Sequence, residues 1–239
     1  MKKKWFGLTG PGAIGYMILA NRVSSHVSGK NVNIPMDNVH YYMTQNGNVC
    51  YLKMMPSIPE DQLKKPPLLL IHDLYPGFSA EEWRKTAENM ASDRIVYAID
   101  LPGCGRSDKT KLSYTQYLFV LVLNQFVRDV TGRGVDVVTS GTSFATAILA
   151  DRMDPDAFRR IIAVNPPDLS FFRKYPRLSQ KLGRSVLRTP ILGTYIYNMK
   201  FSKTATSDRL INAGYYNPAR LSPEYVRMVY QTAHYDHQQ

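Results

Sequence analysis

The chain has 239 residues, 44% of them hydrophobic and 21% charged, with no repeat at a fixed period and no low-complexity tract. That balance excludes a disordered polymer and suffices for one sizeable core with an insertion. Thirty basic residues against 19 acidic ones give a formal charge of +11, which favours anionic surfaces, but no helix-turn-helix, zinc-finger or RNP-like pattern accompanies it, so nucleic acid is not expected as a partner.

At the N-terminus, Lys2-Lys3-Lys4 precede the apolar "WFGLTGPGAIGYMILA". The stretch is shorter than the roughly 20 residues of a spanning helix and is interrupted by Gly and Pro. Three readings stand side by side: peripheral contact with an anionic membrane, a packed helix, or a cleaved signal. Gly10-Pro11-Gly12-Ala13-Ile14-Gly15 fits G-x-G-x-x-G formally. A dinucleotide site needs a strand before it and a second parallel strand after it. "KKKWFGLT" is a poor strand and a hairpin follows, so no cofactor is expected.

Asn46-Gly47 lies between two β-rich runs and predicts an antiparallel hairpin over roughly 39–54 with a type I′ turn. From residue 67 strands alternate with helices. "PLLLIH" reads as a strand buried on both faces. "SAEEWRKTAENMASD" follows as a helix, with Ser79 and Glu82 in capping-box spacing. "RIVYAID" is the next strand and ends in the Gly-rich "LPGCGRSDK". "SYTQYLFVLVLNQFVRDVTG" is a helix with Ser113 and Gln116 in the same capping spacing. "VDVVTS" is a strand, "FATAILADRM" a helix and "RRIIAVNPP" a last strand. Such alternation means a mostly parallel sheet with helices on both faces. Cys50 and Cys104 match neither a disulfide framework nor a zinc spacing, and two reduced thiols point to the cytoplasm.

Gly141-Thr142-Ser143-Phe144-Ala145 joins a strand to a helix. Small residues two before and two after a serine suit a strained turn that exposes its hydroxyl, and the helix start directs N–H groups at a developing oxyanion. The chain here resembles the α/β-hydrolase superfamily. The resemblance covers residues from about 39 to 168 and includes "PPLLLIHDLYPGFSAEEWRKTAENMASDRIVYAIDLPGCGRSDK", similar to that family's third strand, oxyanion loop and "D-x-P-G-x-G-x-S" loop. It implies an α/β-hydrolase fold with an N-terminal hairpin and a helical lid, here without a counterpart for the last strands. Three segments follow: 1–38 apolar and basic, 39–167 the hydrolase core, and 168–239 lid-like.

By this resemblance Ser143 is the nucleophile, with the N–H groups of Phe144 and Leu74 forming the oxyanion hole. His72-Asp73-Leu74 departs from the family's His-Gly-x, because a carboxylate close to the oxyanion opposes its formation. His72 and Asp100 read as structural. Asp168, just after the sixth strand, matches the early-acid variant of the triad. The family's histidine has no counterpart, as expected of an incomplete copy of a longer enzyme. His234 and His237 are thin evidence for a base or a metal site, and no metal is expected. Arg173, Lys174, Arg177, Lys181, Arg184 and Arg188 are spaced for one helical flank. Phe171, Phe172, Tyr195 and Tyr197 suit an apolar lining.

The implied activity is hydrolysis of an ester or related acyl bond in a small apolar substrate. The rival is a non-catalytic binding or scaffold protein of the same fold, favoured by Asp73 and by the lack of a base.

Overall fold

The computed structural model describes residues 10–28, 37–168, 170, 178–214 and 216–235. Lys2 to Lys4, Phe171, Phe172, Arg173, Lys174, Arg177 and His237 lie outside them, as does the side chain of Lys181. The chain divides into two units. One comprises Asn33–Phe172 with the last residues, and the other Met1–Val32 with Arg173–His234.

The first unit has the α/β-hydrolase fold, built on six strands in the order β1-β2-β4-β3-β5-β6. They are β1 (Val39–Thr44), β2 (Gly47–Met54), β3 (Leu68–Ile71), β4 (Val96–Ile99), β5 (Val135–Ser140) and β6 (Phe158–Val164). β1 and β2 form the antiparallel hairpin, and β2 pairs antiparallel with β4. The pairs β3–β4, β3–β5 and β5–β6 are parallel. All four residues of β3 and of β4 are buried, as continuous apolar runs in the middle of a covered sheet must be.

The hairpin turn differs from the expected one. Thr44 pairs with Gly47, so Gln45 and Asn46 form the connection, and the left-handed residue is Gly47 alone (φ 116°). Thr44 decides this: its hydroxyl donates to the Gly47 carbonyl (2.7 Å) and accepts the Asn46 N–H (3.1 Å). A side chain that bonds the backbone locally selects the turn in place of the Asn-Gly preference.

Helices cover the sheet. α2 (Arg84–Met90) follows a 3₁₀ turn at Ala80–Trp83. α3 (Gln116–Phe126) continues into one π turn, Val127–Thr131. Its cap is Thr115, whose hydroxyl accepts the Leu118 N–H (3.2 Å), rather than Ser113; the Gln116 amide donates to Thr146 instead (2.6 Å). α4 (Ser143–Met153) follows β5. Phe126 is fully buried, edge-on to Tyr42, Tyr51 and Tyr97, so α3 is fastened to the hairpin and the sheet by one ring.

The second unit is helical: α1 (Gly10–Ser28), α5 (Leu178–Leu187), α6 (Pro190–Lys200), α7 (Lys203–Arg209) and α8 (Pro223–His234). Gly10 to Gly15 lie in the first turns of α1, so the G-x-G-x-x-G match belongs to a helix start with no described strand before it. Tyr197 donates from its hydroxyl to the Ala233 carbonyl (2.7 Å), joining α6 to α8. Tyr195 is half-buried and edge-on to Tyr16 of α1. No helix among the described residues is long and apolar enough to cross a membrane.

Candidate active site

β5 ends at Ser140, and the chain bends at Gly141 and Thr142 before α4 starts at Ser143. The bend's left-handed residue is Gly141, with φ 55°. Ser143 therefore does not occupy the strained position, where the elbow geometry expected it. The strand stops one residue before Gly141, and the turn is complete by the time the chain reaches the serine. Ser143 lies in the first turn of α4, 0% exposed, and its hydroxyl donates to the Ser140 carbonyl (2.8 Å).

Asp73, in the loop after β3, fills the space beside the bend. A Cβ on Gly141 would lie 2.4 Å from the Asp73 carboxyl carbon. Oδ1 of Asp73 accepts both the Thr142 N–H (2.8 Å) and the Thr142 hydroxyl (2.6 Å). Thr142 gives α4 no side-chain cap of its own. The carboxylate thus serves as the helix-start anion that free N–H groups and the helix dipole favour.

A second carboxylate supports the first. Glu82 accepts the Asp73 N–H through Oε2 (3.2 Å) and the Ser140 hydroxyl through Oε1 (2.6 Å). The capping-box spacing with Ser79 is thus realised only in part: Ser79 accepts the Glu81 N–H (3.4 Å), while the Glu82 side chain bridges the loop after β3 and the end of β5. Burial pushes the Glu82 carboxyl above its ordinary value of 4.5, against the opposing bond from Ser140. The folded chain then holds this proton more tightly than the unfolded one, so stability falls as pH rises from about 4.5 through the raised value. Glu82→Gln is expected to remove that part of the slope, read as melting curves across a pH series; parallel curves for the two proteins would show an ordinary carboxylate.

His72 is wholly buried. Its Nε2 accepts the Leu101 N–H (3.1 Å), so the proton sits on Nδ1, which donates to the Asp73 carbonyl (2.7 Å). Both ring nitrogens are engaged in joining the loops after β3 and β4. Asp100, also wholly buried, accepts the N–H groups of Ala80 (2.6 Å) and Arg106 (2.9 Å) and shapes the Gly-rich loop.

Phe144 is half-buried in the first turn of α4, and Leu74 is half-buried against the core. Asp168 is exposed after β6. Its carboxylate accepts the Ser170 N–H (2.6 Å), and the Ser170 side chain and N–H together hold it below the usual range. His234 is half-buried beside Tyr197 and Tyr230, with Nδ1 2.8 Å from the Tyr230 carbonyl, and burial lowers its pKa. Among the described residues no group of three or more His, Cys, Asp or Glu could hold a metal ion.

The structure therefore brings Asp73, Glu82, Ser140, Thr142 and Ser143 together. Glu82, Ser140 and Thr142 were missed from the sequence. The signal that pointed this way was Asp73 itself, in a position where the resemblance implies glycine.

The alpha/beta hydrolase family matches residues 68–237, and the chain belongs to it. No curated protein matches the chain. Among solved structures, a protein of Pseudomonas aeruginosa PAO1 described as a probable hydrolytic enzyme is 20% identical with a TM-score of 0.56; the match covers 85% of this chain and 61% of that one. A serine hydrolase involved in carbazole degradation is 16% identical, TM-score 0.60, with 82% of this chain and 63% of that one covered. An epoxide hydrolase is 18% identical, TM-score 0.60, with 81% and 67% covered. The chain thus spans about three-fifths to two-thirds of the length of these three structures.

Proposed function

We propose that the chain uses the α/β-hydrolase fold to bind a small, apolar acyl molecule, and that Ser143 does not act as an acyl-transfer nucleophile. The observation that carries this reading is the Asp73–Thr142 pair. In a nucleophile elbow the residue at the strained bend attacks, and the N–H of the next residue stabilises the oxyanion. Here the bend residue is Gly141, and the N–H after it, from Thr142, already binds a carboxylate. An oxyanion forming there would meet a negative charge in the place of a donor.

A second reading is ester hydrolysis through Ser143, with the N–H groups of Phe144 and Leu74 on the oxyanion and Asp168 as the acid. Family membership and the position of Ser143 at the start of α4 favour it. It requires the hydroxyl to leave the Ser140 carbonyl and reach solvent.

A fluorophosphonate probe separates the two. The folded chain is expected to show no labelling above that of Ser143→Ala, because the Ser143 hydroxyl is buried and donates to a carbonyl rather than to a base. Labelling that disappears in Ser143→Ala would overturn the binding reading.

A further inference from the structure

The two units differ sharply in charge. The helical unit, Met1–Val32 with Arg173–His234, holds 16 of the 30 basic residues but only Asp208 and Glu224 of the 19 acidic ones. The sheet unit carries 14 basic and 17 acidic residues. The excess positive charge of this protein therefore belongs to the helical unit.

Those helices also expose apolar side chains in ordered rows. On α5, Leu178 is 83% and Leu182 66% exposed, one turn apart on one face. Arg184 and Arg188, one turn apart, are exposed as well. Ile191 and Leu192, in the first turn of α6, continue the exposed apolar surface just beyond. α1 reaches the same corner, since the Asn21 side-chain amide donates to the Ile191 carbonyl (3.0 Å), and it exposes Ile14, Ile18 and Leu19.

We propose that this unit docks on an anionic lipid surface through α5 and the exposed apolar side chains of α1. A leucine row on one face of α5, with arginines on its flank and far side, suits the headgroup boundary, where the apolar chains enter the acyl region and the cations remain with the phosphates. A second copy is a poor occupant, because two surfaces of the same strong positive charge would face each other. Nucleic acid would neutralise the arginines but leave the leucine row in water. The inference does not depend on whether Ser143 is reactive.

The test is co-sedimentation of the full chain with phosphatidylcholine vesicles, with and without phosphatidylglycerol, at low and high salt. Binding to the anionic vesicles is expected to exceed that to neutral ones by at least about tenfold and to weaken with salt. Leu178→Asp with Leu182→Asp should lower it by about tenfold or more. Arg184→Glu with Arg188→Glu should abolish the preference for anionic lipid. All four positions are exposed, and circular dichroism with a thermal melt checks that the variants fold. No vesicle binding by the wild-type chain, equal binding to neutral and anionic vesicles, or a leucine variant that binds like wild type would each overturn the proposal. A dimer in solution that the leucine variant dissociates, with no vesicle binding, would assign the surface to a second copy.

Discussion

Gly141→Ala is expected to destabilise the sheet unit by about 2–6 kcal/mol, from two sources. A left-handed backbone costs a residue with a Cβ about 1–3 kcal/mol. The new methyl group would also lie 2.4 Å from the Asp73 carboxyl carbon, so Asp73 must move. When it moves, the Thr142 N–H and hydroxyl lose their acceptor, worth about 1–3 kcal/mol for a group left unpaired. Denaturant unfolding measures the total, and a double-mutant cycle separates the parts. In an Asp73→Ala background the space is open, and Gly141→Ala should cost only the backbone part. A coupling of about 1–3 kcal/mol is therefore expected. Strict additivity would mean that Asp73 does not occupy the bend, and the argument against an oxyanion there would lose its footing.

The second large effect is expected at the opposite end of β5. Asp136 is buried, and its carboxylate accepts from Arg159 through Nε (2.9 Å) and Nη2 (2.6 Å) and from Arg94 through Nη1 (3.2 Å). Arg160 approaches to 3.6 Å. Asp136→Ala should cost about 2–4 kcal/mol, below the roughly 3–5 of a fully buried pair, since it leaves the largely buried Arg94 guanidinium with only the longer Asp93 pair (3.5 Å). Arg94 bears most of that loss, because its side chain is largely buried while those of Arg159 and Arg160 are about half exposed and can rehydrate. Arg160→Ala should cost under about 1 kcal/mol. Thermal or denaturant melts of the two variants test the ranking, and an Arg160→Ala loss as large as that of Asp136→Ala would show that Arg160 is the acid's main partner.

Much of the architecture was legible because central strands announce themselves. "PLLLIH" and "RIVYAID" are apolar on both faces, and no other element of that length must be. The hydrolase resemblance also placed these strands in their order. Register was not legible to one residue. Thr44 moved the hairpin turn by a hydroxyl bond, and Thr115 moved the start of α3 in the same way. The same uncertainty affected the site. The strand "VDVVTS" was read to its observed end, and the pentapeptide around Ser143 meets the size rule for an elbow, but that rule does not say which residue takes the left-handed bend. Ending β5 at Ser140 puts the bend on Gly141, two residues early. The carboxylate that fills the bend is 69 residues away in the chain, and no local pattern reports such a contact. Glu82 was hidden differently: its spacing from Ser79 offered a local role, and the side chain took a long-range one.

The strand order carries a consequence for synthesis of the chain. β2 pairs on its far side with β4, so the hairpin leaves the ribosome well before the strand that completes it. The intervening segment takes several seconds to make at roughly 5–20 residues per second. During that interval the nascent hairpin presents an open edge of backbone groups on β2, with nothing yet made that belongs there. A two-stranded hairpin alone is marginally stable. It must therefore form and dissolve repeatedly, or be held by a chaperone, until Val96–Ile99 emerge to close it.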